Sequence, residues 1–400
     1  MQEKLKKYFS NYINKESFFL DKKLLTHNYI PDKILHRDEQ IMSIAKVLAP
    51  ALKLEQPSNL FIYGTTGTGK SVVIKHIFSE LKSTNTTNLK PVYINCKLKK
   101  TADTEYRMLA YILRELNFPV PETGLPTESL YNKLFELIDE KEQIILLALD
   151  ELDALVKKIG DGLIYNLTRI NTELKNAKIS IIGISNDLSF TDDLDPRVRS
   201  SLSEEEIIFP PYNALQLKDI LQQRAKIALK PGVCSEGVIE KCAAIAAQEQ
   251  GDARRALDLL RVAAELAERN EDKKITENHV DLAEQKLELD RVTELAKTQP
   301  RHSQLTLYSI LKLFEKGKDQ ILTGDVYEVY LSLCKRNGYK TLTQRRISDL
   351  ISELDMLGLI STKVVSKGRY GRTREIRLAI AKKSFDILKS TFSNMFETWY

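Results

Sequence analysis

Gly64-Thr65-Thr66-Gly67-Thr68-Gly69-Lys70-Ser71 follows directly on the apolar run Leu60-Phe61-Ile62-Tyr63, so a glycine-rich turn sits where a strand hands over to a helix. That is the setting of a P-loop. The glycines let the backbone curl round a phosphate chain, and several N–H groups together with the positive end of the next helix then face it. Thr66, Gly67, Thr68 and Gly69 are the expected phosphate cradle. Lys70 would bridge the β- and γ-phosphates and Ser71 would ligate Mg²⁺. The stretch predicts ATP or ADP binding on an α/β sheet.

Further along, Ile144–Leu149 runs straight into Asp150-Glu151, which brings two carboxylates out at the end of a buried strand. This reads as a Walker B motif, with Asp150 in the Mg²⁺ shell and Glu151 polarising the attacking water. A second apolar run, Ile179–Ser185, ends in Asn186, whose amide can reach a γ-phosphate as a sensor. Gly251-Asp252-Ala253-Arg254-Arg255 opens a helix and throws Arg254 toward a domain boundary, where it would feel the γ-phosphate; a charged helix surface is the competing reading. Tyr212 and Arg224 are placed to contact nucleotide if the following domain folds over the P-loop.

The 400 residues allow two or three domains, and the composition is that of a folded globular chain. No apolar run approaches the roughly 18 residues that span a bilayer, so a cytoplasmic, nucleoid-associated protein without membrane contact is expected. Cys96, Cys234, Cys242 and Cys334 lack disulfide or zinc spacing. Charge is uneven along the chain. Residues 296–400 hold 19 Lys and Arg against 10 Asp and Glu, whereas residues 1–295 hold 41 against 45. A basic tail points to an anionic partner, most simply nucleic acid.

Up to Tyr212 short β-rich runs (Leu60–Tyr63, Val92–Asn95, Ile144–Leu149, Ile179–Ser185, Ile207–Phe209) alternate with helical patterns, which predicts a buried parallel sheet. Pro210-Pro211 closes it. Ala214–Leu287 reads as a small helical domain. After Pro300, helical patterns at Gln304–Lys316, Gly324–Arg336 and Gln344–Leu357 precede two β-rich segments, Leu359–Val365 and Glu375–Ile380. Three helices and a two-stranded wing describe a winged helix-turn-helix. The expected domains are thus 1–212, 213–295 and 296–400.

In the last of these, Thr343 can cap a helix whose Ile347, Leu350, Ile351, Leu354 and Leu357 form one buried face. The other face carries Gln344, Arg345, Ser348 and Ser352. Arg345 and Arg346 oppose the helix dipole in the first turn by roughly 0.3–1 kcal/mol each, so an anionic partner explains them better than stability does. Wing residues Lys363, Lys367, Arg369, Arg372, Arg374 and Arg377, with Tyr370 at the tip, make a cationic hairpin suited to a DNA groove.

The order of P-loop, acidic strand end, asparagine sensor, Pro-Arg segment and lid arginine resembles the AAA+ ATPases. That resemblance implies an arginine acting on a neighbouring subunit's nucleotide, within Asp195-Pro196-Arg197-Val198-Arg199-Ser200-Ser201-Leu202. Arg197 is the first choice and Arg199 the second; Ser201 stands where related initiators and clamp loaders carry the arginine of a Ser-Arg-Phe-like triplet. Tyr29-Ile30-Pro31 and His36-Arg37 resemble the segment lining the adenine pocket, which makes Ile30, His36 and Arg37 nucleotide contacts. Hydrophobic anchoring of the N-terminus is the rival reading.

With Leu342-Thr-Gln-Arg-Arg-Ile-Ser-Asp-Leu350 and Gly368-Arg-Tyr-Gly-Arg-Thr373 added, essentially the whole chain resembles the archaeal origin-recognition (Orc/Cdc-six) initiator family. The resemblance implies an AAA+ parallel-sheet base, a helical lid and a C-terminal winged helix, with a helical insertion near 97–126 that begins among Lys97, Lys99 and Lys100. It further implies binding to double-stranded origin repeats, loading of the replicative MCM helicase, paralogous initiators as partners, and slow ATP hydrolysis as a switch. A transcription regulator with structural ADP and a branch-migration motor are the alternatives.

Overall fold

Five strands form the base: β1 (Leu60–Tyr63), β2 (Leu89–Asn95), β3 (Gln143–Asp150), β4 (Ala177–Ser185) and β5 (Glu205–Ile208). They pair in parallel in the order β2-β3-β4-β1-β5. The computed structural model describes residues 16–26, 29–84, 87–97, 104–121, 124–317, 320–366 and 372–397.

Alternation along each strand splits the apolar residues between two cores, because successive side chains point to opposite faces. Ile145, Leu147 and Leu149 enter one cluster and Ile144, Leu146 and Ala148 the other. Helices α1 (Asp38–Leu48) and α2 (Lys70–Ser83) cover the second face. Helices α3 (Glu105–Glu115), α4 (Thr127–Asp139), α5 (Leu152–Ile159), α6 (Gly162–Arg169) and α7 (Pro196–Leu202) contribute to the first. With both faces covered, a strand such as β3 reads as one unbroken apolar run.

Edge strand β5 differs from its expected span of Ile207–Phe209. It begins at Glu205, and its exposed Glu205 and Glu206 guard the open edge. Phe209 has left the strand, although its N–H still donates to the Tyr63 carbonyl at 2.9 Å and its ring is buried. Within the expected insertion, Thr104 caps α3, and Met108, Leu109, Ile112 and Leu113 pack into the base core. Lys99 and Lys100 lie outside the described residues.

Register decides where the chemistry falls. Asn95 pairs with Asp150, Asp150 with Ile184, and Tyr63 with Ser185. The C-terminal ends of four strands therefore share one edge, where open α/β sheets bind ligands.

The lid consists of α8 (Ala214–Ala228), α9 (Val238–Gln248) and α10 (Ala253–Arg269). Asn213 and Gln216 make a capping box on α8, and Asp252 caps α10 through the N–H groups of Arg254 and Arg255. An N-terminal strap adds to the lid: Leu20 N–H donates to the Ala228 carbonyl and Lys230 N–H to that of Phe18, each at 2.8 Å. By compactness the chain divides after Val280, inside α11 (Glu277–Thr298).

The second unit contains α12 (Arg301–Glu315), β6 (Ile321–Leu322), α13 (Thr323–Asn337), α14 (Gln344–Met356), β7 (Ile360–Ser366), β8 (Arg372–Leu378) and α15 (Lys382–Phe396). Its sheet has three strands rather than the expected two, ordered β6-β8-β7. Two-residue β6 is too short to show any periodicity. Helix α15 was also not anticipated, although Leu388, Phe392 and Phe396 recur at helical spacing and are buried; the Phe392 and Phe396 rings stand 6.1 and 5.9 Å from that of Tyr308. Among the described residues no helix is long and apolar enough to cross a membrane.

Candidate functional site

The loop between β1 and α2 holds three glycines, Gly64, Gly67 and Gly69, that no other residue could replace without movement. Gly67 has φ of 70° and Gly69 of 94°, a left-handed region that costs side-chain-bearing residues. A Cβ on Gly67 would lie 1.7 Å from Asp252 Oδ1, and one on Gly69 would lie 2.9 Å from the Tyr212 hydroxyl. The Ala253 N–H also donates to the Gly67 carbonyl at 3.2 Å. Lid helix α10 and the base–lid crossing therefore rest directly on the phosphate loop.

Lys70 is 4% exposed, and its Nζ donates to the carbonyls of Gly64 at 2.7 Å and Thr65 at 2.8 Å. Burial is the main cause that brings its pKa down to about 8; Asp150 opposes the shift and Arg254 adds to it. Beside it, Ser71 Oγ donates to Asp150 Oδ2 at 2.6 Å and the Glu151 N–H to Asp150 Oδ1 at 2.9 Å. The Tyr93 hydroxyl donates to the same Oδ2 as Ser71. Glu151 adopts left-handed backbone (φ 57°, ψ 47°) and its carboxylate meets Lys97 Nζ at 3.1 Å. A non-glycine residue held there stores strain, as functional positions often do.

These groups line one cavity of about 410 Å³ in the first unit, with Gly67, Thr68, Gly69, Lys70, Ser71, Asp150, Glu151, Asn186, Tyr212, Arg224 and Arg254 on its walls. Its walls also include the apolar side chains of Ile30, Ile34, Leu35, Ile220 and Leu257. Arg224 is 5% exposed, with its guanidinium 4.4 Å over the Tyr29 ring. Its Nη2 donates to the Tyr29 carbonyl at 3.3 Å, while Nε and Nη1 are buried without an acceptor among the described residues. Buried donors of that kind call for a ligand oxygen or nitrogen. The hydroxyl of Ser71 and the carboxylate of Asp150 are hard oxygen donors that suit Mg²⁺, which is commonly held by one or two protein oxygens and the phosphates.

His36, Arg37 and Thr66 do not line this cavity. Arg37, 2% exposed, donates from Nε to the Thr68 carbonyl at 2.9 Å and from Nη2 to that of Pro210 at 2.5 Å, and lies 3.8 Å over the Tyr212 ring. It braces the phosphate loop against the base–lid crossing. His36 Nε2 pairs with Asp219 at 2.9 Å. Arg197 and Arg199 do not line the cavity either: Arg197 pairs with Asp195 and Arg199 with Asp192, both at 3.1 Å.

In the winged unit, Thr343 accepts the Arg346 N–H at 3.4 Å to cap α14, and Ile347, Leu350, Ile351 and Leu354 are buried. Gln344, Arg345 and Arg346 are exposed and Ser348 half-buried, so the expected polar face is free of the core. Arg346 pairs with Asp349 and Glu353 at 3.8 and 3.5 Å. Arg374 faces α14: its Nη1 donates to the Ser348 carbonyl at 3.0 Å and to the Ser352 hydroxyl. Lys363 is exposed on β7. Lys367, Arg369 and Tyr370 lie outside the described residues, and Arg372 opens β8.

Three family models match the chain in sequence: an AAA domain over residues 53–189, a Cdc6 AAA+ ATPase-type lid domain over 218–285, and a CDC6 C-terminal winged helix domain over 294–386. An ORC1-type DNA replication protein of Thermococcus onnurineus is 55% identical, with 93% of this chain and 91% of that protein aligned. One of Pyrococcus furiosus is 53% identical over 98% and 94%. This chain belongs to the ORC1-type DNA replication protein family. Its fold agrees: the Aeropyrum pernix ORC1 protein, solved in complex with DNA, superposes with a TM-score of 0.84 at 42% identity over 96% of this chain and 98% of that one. Membership carries an AAA+ nucleotide-binding core and a winged helix.

Seen within the ORC1-type family, the lining residues that the motifs did not supply include Tyr93 and Asn95 on β2, Lys75 on α2 and Gln223 on α8. Tyr93 and Asn95 had a signal. They are the polar residues of the run Val92–Asn95, two apart and hence on one face, and Asn95 is in register with Asp150.

Proposed function

We propose that this chain is an ATP-regulated replication initiator that grips duplex DNA at origin repeats and helps load the MCM helicase. The observation that carries this reading is that Tyr212 at the base–lid crossing and the lid residues Arg224 and Arg254 share one cavity with the phosphate loop, Asp150 and Glu151. Any ligand filling it touches base and lid together, so its phosphate count can set their angle. Mg²⁺, when bound, supplies positive charge to the phosphate oxygens, and Ser71 and Asp150 are the residues that would hold it. Lys70 leaves its loop carbonyls for the phosphates, Asn186 and Arg254 read the terminal one, and Glu151 orients water. Since neither Arg197 nor Arg199 lines the cavity of its own chain, slow turnover is expected from a subunit alone.

DNA binding rests on the exposed N-terminal turn of α14 and the cationic wing, and is supported by the relative of 42% identity solved with DNA. Neutralising about four to six phosphates gives a slope of log K against log salt of roughly −4 to −5. Footprinting across the genome tests the reading. Protection of repeats at a replication origin, weakened by Arg345→Ala and altered between ADP and a non-hydrolysable ATP analogue, is expected; protection confined to promoters, or to branched junctions, would overturn it.

A further inference from the structure

Asp150 has both carboxylate oxygens held by protein donors: Oδ1 by the Glu151 N–H, and Oδ2 by the hydroxyls of Ser71 and Tyr93. Tyr93 is itself fixed. It sits on β2 opposite Ala148 of β3, and Lys75 Nζ on α2 stands 4.4 Å over its ring. Ser71 donates its only hydroxyl proton to Oδ2, which leaves the lone pairs of its oxygen for a cation. Tyr93 is the second side-chain donor to Oδ2, and its hold does not depend on how Ser71 turns toward a cation.

We propose that Tyr93 is a positioning residue for the Mg²⁺ site, aiming the Asp150 carboxylate at the cation through its hydroxyl without touching cation or nucleotide. This rests on the reading of Ser71 and Asp150 as the Mg²⁺ holders. A carboxylate free to rotate about its own bond presents its lone pairs in many directions, whereas one pinned at both oxygens presents them in one. Groups that orient a metal-holding carboxylate typically change metal affinity about 10- to 100-fold when removed. Tyr93→Phe deletes only the hydroxyl and keeps the ring beneath Lys75.

The test is a titration of MgCl2 against the full-length protein holding a fluorescent ADP analogue, with a parallel measurement of analogue binding in EDTA. Tyr93→Phe is expected to raise the half-saturating Mg²⁺ concentration about tenfold and to leave binding in EDTA as in wild type. An unmoved Mg²⁺ midpoint overturns the proposal. So does equal weakening with and without Mg²⁺, since Tyr93 would then brace the pocket rather than the carboxylate. Ser71→Ala separates the underlying reading: if wild type and Ser71→Ala respond identically to Mg²⁺, the assignment of the Mg²⁺ holders itself fails, whatever Tyr93→Phe does.

Discussion

Nucleotide binding by this chain should take up protons, and the pH at which it does so identifies Lys70. Burial has brought that amine from 10.5 to about 8, a difference worth roughly 3 kcal/mol between its two protonation states. In the folded chain without nucleotide, the neutral fraction is roughly a tenth at pH 7, a half at pH 8 and nine-tenths at pH 9. Phosphate oxygens beside Nζ favour the ammonium form and restore the proton. Calorimetry of ADP binding in buffers of different ionisation enthalpy reads the uptake directly. About half a proton is expected at pH 8, rising toward one at pH 9. Lys70→Arg keeps the charge but cannot deprotonate in this range, so its enthalpy should not depend on the buffer. Uptake that is absent at pH 9 in wild type, or equal in Lys70→Arg, would refute the argument. The same shift bears on folding: the unfolded chain holds more protons than the folded one between about pH 8 and 10.5, so this group alone makes stability rise with pH across that window.

Glu151→Gln should bind nucleotide as wild type does and hydrolyse it about 100-fold or more slowly; unchanged single-turnover hydrolysis removes Glu151 from the water-activating role. Gly67→Ala meets both a left-handed backbone and Asp252 Oδ1 at 1.7 Å, so it should lift α10 from the loop, lower the melting temperature and speed ADP release. A variant that melts and releases ADP like wild type would show that the loop and lid yield without cost. Arg374→Ala should destabilise the winged unit by about 1–2 kcal/mol through lost hydrogen bonds to α14 and leave the salt slope of DNA binding alone. Arg345→Ala should instead reduce that slope by about one while melting as wild type does; the opposite pattern in the pair would reverse their roles.

Much of the fold was legible because it rests on signals that act locally. A strand buried on both faces must be apolar throughout, as Ile144–Leu149 is, and a loop that wraps phosphate must be rich in glycine. Elements lacking such a demand were missed or shifted. Two-residue β6 is set by its partner β8 and not by its own composition. Strand β5 begins at two glutamates because an edge needs charge more than it needs apolar surface. Within the site, Lys70, Ser71, Asp150, Glu151 and Asn186 could be found because each ends or begins an element at the shared edge of the sheet. Tyr93 carried only the weaker signal of standing two residues from Asn95, and its meeting with Asp150 depends on the pairing of β2 with β3, which composition does not fix.

Arginines mark the boundary of sequence reading in this chain. Sequence places a guanidinium in a neighbourhood, but its five donors accept any oxygen there, and backbone carbonyls are the commonest oxygens in a protein. Arg37 takes those of Thr68 and Pro210, and Arg374 takes that of Ser348; each thereby ties together two elements that a ligand must find aligned. Arg224 is the contrasting case, buried to a similar degree with two nitrogens lacking any acceptor among the described residues. Leaving buried donors unpaired costs about 1–3 kcal/mol or more for a charged group, a cost the fold sustains only where a ligand offsets it. Arg224→Met, which keeps the bulk and removes the donors, should therefore stabilise the nucleotide-free chain and weaken nucleotide binding together. Losing both stability and affinity would place Arg224 with the braces, beside Arg37.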